Sequence, residues 1–159
     1  MSAGSTLDGV LEAIEAARPI VALRDSYLAY PLINAVHIIG IGLLFGAIVA
    51  LDLRLLGLRR AAGPAEGFAG LLVPVAIGGL LLAIPAGLLL FATDARAYAA
   101  SPLFQAKILI IGLAIGNALL LRASARRGTA SRHGTAFAAG ASILLWLGAI
   151  ILGRLVGYF

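Results

Sequence analysis

The chain contains no cysteine, one methionine, one tryptophan and two histidines. Lack of cysteine excludes structural disulfides, iron–sulfur clusters, thiolate metal sites and a cysteine nucleophile. Charge is also scarce. Asp, Glu, Lys and Arg make up 12% of the 159 residues, roughly half the share found in soluble domains. No P-loop, GxSxG motif or pair of carboxylates within an apolar stretch occurs. That excludes nucleotide binding, serine-type hydrolysis, and a proton pump or cation channel built on membrane carboxylates. What is abundant is apolar: 62% of residues, with a mean hydropathy of +1.06. The balance excludes a soluble enzyme, a disordered tail and a collagen-like repeat, and defines an integral membrane protein of one small domain.

Four apolar stretches are long enough to cross a bilayer as helices, which takes about 20 residues each. They run from Leu28 to Leu51, Phe68 to Ala92, Leu103 to Leu121 and Thr135 to Val156. Pro74 and Pro85 fall within the second, where they are expected to bend it. The connections are short, so the expected fold is all-α: a four-transmembrane-helix antiparallel bundle over 28–159. Residues 1–27 form an N-terminal amphipathic interfacial segment. Within it, Leu7, Val10, Leu11 and Ile14 share a helix face opposite Asp8, Glu12 and Glu15, with Ser5 or Thr6 as cap. Two readings of this helix stand: one lying on the membrane surface, and a lid over a site between the spans.

The net charge is +5. The connections after spans one and three hold Arg54, Arg59, Arg60, Arg122, Arg126, Arg127 and Arg132; the other side holds Arg18, Arg24 and Arg96. Basic residues concentrate in cytoplasmic loops. The charge pattern therefore predicts a multi-pass protein of the bacterial inner membrane with both termini outside, in contact with the lipid bilayer and not with nucleic acid. Tyr27, Tyr30, Tyr98 and Tyr158 fall at the expected outer boundary, where aromatic belts form. Gly42/Gly46, Gly112/Gly116 and Gly153/Gly157 have the small-xxx-small spacing of close helix pairs and point to a homo-oligomer.

Ionisable residues in hydrocarbon cost about 2.5–3.5 kcal/mol on insertion scales, so they mark function first. Three lie in the outer half of the spans. His37 is about 12 Å below the outer end, Lys107 about 6 Å, and Arg154 is in the last turn of span four. Asn34 and His37, spaced i, i+3, share a face on which Asn34 would orient the imidazole. For His37 the readings are an interhelical hydrogen bond without ligand, haem ligation, or another metal or proton-relay role. For Lys107 and Arg154 they are snorkelling to headgroups or pairing with a propionate or other anion. Asn117, deeper in span three, needs a partner. Asp52 is expected to pair with Arg54 at the cytoplasmic edge, Trp146 to serve packing, and His133 to be a surface loop residue.

The run YPLINAVHIIGIGLLFGAIVALDLRLLG, residues 30–57, resembles the first core helix of the HemJ-type protoporphyrinogen oxidases. The run SPLFQAKILIIGLAIGNALLL, residues 101–121, resembles the segment in which that family carries a lysine. Both also resemble CopD-type membrane domains and related small families. The HemJ resemblance implies b-type haem, with His37 matching the haem-associated histidine and Lys107 the lysine. The leading expectation is a membrane-embedded b-type haem protein with an electron-transfer role. Its haem b would be held by His37, Asn34, Lys107 and Arg154, and its partner would be a periplasmic redox protein or a quinone. A porphyrinogen or quinol oxidase on the same scaffold is the alternative. A CopD-like copper-handling protein or a cofactor-free accessory subunit is the third; copper would want Met and His clusters.

Overall fold

A computed structural model describes residues 3–58 and 65–158. Met1, Arg59 and Arg60, and the side chain of Ser5, lie outside the described residues. Seven helices follow in order: α1 (Ala3–Glu15), α2 (Arg18–Asp25), α3 (Ala29–Leu55), α4 (Ala65–Ala92), α5 (Ala95–Ala100), α6 (Pro102–Arg126) and α7 (Arg132–Leu155). No strand occurs among the described residues. The fold is an all-α four-helix bundle of α3, α4, α6 and α7, each long and apolar enough to cross a membrane.

The four long helices alternate in direction. His37 on α3 meets Ala83 on α4, and Asn117 on α6 meets Ala138 on α7. The largest interfaces join α3 to α4 and α6 to α7; α3 and α7 link the two pairs. One end carries α1, α2 and α5 and is termed the capped end. The other carries Arg54, Arg122, Arg126, Arg127 and Arg132 and is termed the arginine-rich end.

The bundle is built small inside and large outside. Ala47, Ala83, Ala86, Ala114, Ala139 and Ala149 are buried, whereas Leu81, Leu88, Leu109, Leu120 and Leu144 are exposed. A soluble bundle would invert this pattern. In lipid, helices associate by close backbone approach, which small residues permit. The closest approach is the crossing of α3 and α4. A β-carbon on Gly40 would stand 2.6 Å from the Ala83 backbone nitrogen, and one on Gly79 would stand 2.5 Å from that of Leu44. Beside this crossing, Leu44, Ala114 and Trp146 form the central core cluster, so Trp146 does serve packing.

The helices overrun the apolar stretches at the arginine-rich end. The α3 helix reaches Leu55 and α6 reaches Arg126, because continuing the helix keeps backbone hydrogen bonds that a loop would surrender to the interface. Both stop the same way. Gly57 and Gly128 take positive φ, 75° and 66°. Leu58 N–H returns to the Leu53 carbonyl and Thr129 N–H to that of Ser124, the six-to-one bond of a Schellman motif. At the other end of α6, Ser101 caps the helix by accepting from Phe104 N–H, with Pro102 in its first turn.

The N-terminal segment differs from its expected form. It is two helices, and α1 starts at Ala3, so Thr6 lies inside the helix and not at its cap. Leu11 is buried while Leu7 and Val10 are exposed. Glu15, expected on the polar face, is buried against α5: its carboxylate accepts from the Arg96 backbone N–H at 2.8 Å and from Arg96 Nε at 3.0 Å. The Arg96 backbone N–H bond, with the guanidinium beside it, holds the Glu15 carboxyl below its ordinary value of 4.5. A lowered folded-state value stabilises docking above the ordinary value, and that contribution disappears as pH falls through the lowered one. The protection of the α1 amides against hydrogen exchange, taken relative to their intrinsic rates, is therefore expected to fall as pH drops below the ordinary carboxyl value. In Glu15→Gln that protection is expected to be low already at neutral pH and to change little across this range.

Candidate functional site

His37 stands two turns into α3 from the capped end and is half-buried. Its Nδ1 lies 2.7 Å from the Ala83 carbonyl oxygen of α4. A carbonyl only accepts, so the bond makes Nδ1 the donor and leaves the lone pair of the neutral ring on Nε2. The carbonyl has a second lone pair for the bond of its own helix. The ring has room because position 87 lacks a side chain: a β-carbon on Gly87 would meet Cε1 at 2.8 Å and Nδ1 at 3.2 Å. One turn of α4 thus supplies both the anchor and the seat of the imidazole.

The expected orienting group was Asn34. The structure gives that position to the Ala83 backbone, and Asn34 is exposed. Spacing i, i+3 places two side chains on one face, but a ring wedged against a neighbouring helix takes its partner there.

Lys107 on α6 is half-buried, and its side chain lies along α7. A β-carbon on Gly153 would stand 3.1 Å from its Nζ and 3.2 Å from its Cε. The ammonium makes no ion pair or hydrogen bond to the described residues. It sits close enough to His37 for the two to interact electrostatically. His37 thus packs on α4 and Lys107 on α7, each half-buried and within electrostatic range of the other. Arg154 is exposed in the last turn of α7 and turns to its own helix: its guanidinium donates to the Tyr158 hydroxyl and lies over that ring, 4.7 Å from the centroid. His133 is exposed at the start of α7, at the arginine-rich end, and cannot reach His37.

Above His37 and Lys107 an aromatic trio joins three elements. Phe91 of α4 stacks on Phe104 of α6 at 5.3 Å, and Tyr98 of α5 lies 6.2 Å and 5.5 Å from them. Burial, with Tyr30 and Asp94 nearby, pushes the Tyr98 hydroxyl above its ordinary value, so it stays protonated. The α1 helix packs on α5 and α4 at this end, and the Glu15–Arg96 contact fastens it there.

Toward the arginine-rich end, Asn117 finds its partner: Nδ2 donates to the Ala138 carbonyl at 2.9 Å. Such interhelical bonds in membranes average about 0.6 kcal/mol, so Asn117→Leu is expected to lower thermal stability only slightly in a detergent melt. Asp52 departs from expectation. It is buried, with Oδ2 unpartnered, whereas Arg54 lies over the Phe68 ring at 5.0 Å. Residues i and i+2 on a helix do not face each other. Of the small-residue pairs, added β-carbons at Gly42, Gly46, Gly112 and Gly116 would meet nothing within 4 Å, and the close contacts within the chain run through Gly40, Gly79, Gly87 and Gly153. Gly46 lines an outward apolar groove of about 300 Å³ with Phe45, Val49, Ala50, Leu53 and Phe68.

Among the described residues no three His, Cys, Asp or Glu side chains gather as a metal cluster. The fold and these residues define a multi-pass membrane protein with one histidine and one lysine half-buried within its spans. No protein-family profile, curated protein or solved structure matches the chain.

Proposed function

We propose that this protein is a membrane-embedded b-type haem protein with a redox role, and that His37 Nε2 is the iron ligand. The observation that carries the reading is the Nδ1–H bond to the Ala83 carbonyl. Ligating histidines are held this way, with one ring nitrogen donating to a carbonyl or carboxylate and the other left free for metal. Haem, when bound, would supply one-electron chemistry at iron, and His37 would hold it.

The chain's own residues have separable tasks. Ala83 fixes the tautomer and the ring direction. Gly87 keeps the ring against α4. Lys107, a cation without a counter-ion in its surroundings, is suited to hold an acidic group of the macrocycle, and a charge-assisted contact there is stronger than a neutral one. Arg154 is a second cation at the same end, and exposed Asn34 lies one turn from His37. A second ligand, where there is one, would come from water or from the same histidine of a second copy of the chain, and the electron partner would be a quinone or a periplasmic redox protein.

The test is chemical. Protein produced with ample haem supply and purified in detergent is extracted with acid acetone, and the porphyrin is identified and counted per chain. The proposal expects non-covalent protohaem in a fixed ratio to protein. Pure, folded protein without porphyrin contradicts it. Gly87→Val is expected to displace the imidazole and reduce the haem recovered at least about tenfold, the lower range for loss of an orienting partner.

A further inference from the structure

The link between α6 and α7 gathers arginine without acid. From Arg122 to Gly153 no Asp or Glu occurs, while Arg122, Arg126, Arg127 and Arg132 do. All four are exposed, and among the described residues none has an ion-pair partner. Three of them, with Leu119 and Ala123, line an open groove of about 550 Å³. Leu119, Arg122, Ala123 and Arg126 are spaced i, i+3, i+4, i+7, so they form one stripe on α6. The stripe is apolar toward the span and basic beyond it.

The backbone beneath these cations is held. Gly128 at φ 66° closes α6, and the Arg127 N–H returns to the Ala123 and Ala125 carbonyls. Arg122 and Arg126 therefore stay one turn apart, a like-charge arrangement that is unfavourable by itself. The negative end of the helix favours a cation in the last turn. That does not explain a row of arginines around an apolar floor.

We propose that this groove seats an anionic phospholipid, its phosphate between Arg122 and Arg126 and its acyl chains over Leu119. Two observations select a lipid over a free anion. Leu119 and Leu120 are 62% and 71% exposed, and both lie within the candidate span Pro102–Arg126. The floor of the groove therefore faces hydrocarbon, where a soluble anion has nothing to bind. Arginine also offers phosphate a planar, two-pronged donor set. Basic sites beside membrane helices select anionic headgroups through this same charge pairing.

The experiment titrates purified full-length protein in detergent with short-chain phosphatidylglycerol and, separately, phosphatidylcholine, and counts retained lipid by native mass spectrometry. Inorganic phosphate serves as the free-anion competitor. Phosphatidylglycerol is expected to be retained over phosphatidylcholine and not displaced by phosphate. Each surface arginine contributes about 1 kcal/mol to anionic lipid attraction, so R122Q/R126Q is expected to weaken retention about 30-fold and R126Q alone about fivefold. R122K/R126K, which keeps the charge, is expected to retain most of it. The single variant provides the reading if the double variant does not fold. Equal retention of the two lipids, or unchanged retention in both glutamine variants, overturns the proposal. Displacement of the lipid by phosphate overturns the lipid as occupant.

Discussion

His37→Gly is expected to purify folded but free of porphyrin, and to regain haem when imidazole is supplied during expression. The argument rests on two different bonds at one ring. Nδ1 ties α3 to the Ala83 carbonyl, and Nε2 carries the lone pair. Removing the side chain removes both. The fold survives because the α3–α4 interface rests mainly on the Gly40–Gly79 crossing, and glycine in a helix costs only about 1 kcal/mol. Loss of an orienting partner alone weakens metal sites about 10–100-fold, so loss of the ligand itself should exceed 100-fold in haem affinity. Free imidazole restores the ligand without restoring the covalent strut. A purely structural histidine would give the opposite pattern, with stability recovering and no porphyrin gained. Unchanged haem content in the glycine variant would assign the ligand elsewhere.

Gly79→Leu is expected to produce the largest loss of stability of any single change in the spans. A β-carbon there would stand 2.5 Å from the Leu44 nitrogen and 2.7 Å from the Gly40 carbonyl oxygen. These are backbone atoms of a facing helix and cannot rotate aside. Overpacking of a close-packed interior typically costs 1–3 kcal/mol, and a leucine at a backbone-to-backbone crossing should lie at or above the upper end. Ala83 lies one turn further along α4, so parting the helices also withdraws the carbonyl from His37 and should lower haem occupancy. Gly42→Ala is the matched control. Its β-carbon meets nothing within 4 Å, and the gain in helix propensity favours the variant by up to about 1 kcal/mol. Thermal melts in one detergent compare the pair. Equal destabilisation by the two substitutions would remove the crossing from the account.

The architecture was legible because it is written in averages. Runs of about 20 apolar residues between arginine-bearing connections give spans, and short connections give antiparallel neighbours. His37 and Lys107 were legible for a related reason: an ionisable residue within an apolar run is rare enough to stand out, and both lie in the outer half of their spans. What was not legible depends on helix rotation. Gly42/Gly46, Gly112/Gly116 and Gly153/Gly157 carry small-xxx-small spacing, and Gly42 and Gly46 have the same spacing whether they face lipid or protein. Nothing local distinguishes them from Gly40, which makes the crossing. The seat of His37 was hidden for the same reason, since Gly87 and the Ala83 carbonyl lie on another helix and a backbone carbonyl leaves no mark in a sequence. Glu15 looked like a solvated charge because Arg96, its partner, is 81 residues away. Asp52 was assigned to its sequence neighbour Arg54, whereas its angular position on α3 turns it into the buried interior.

The central claim is that His37 holds haem iron between the spans. The absorption spectrum of the detergent-purified protein, air-oxidised and then dithionite-reduced, tests it most directly. The account predicts a Soret band that shifts on reduction together with sharp α and β bands, all missing from His37→Gly and restored by imidazole. A featureless visible spectrum in pure, folded protein made with ample haem supply would contradict it.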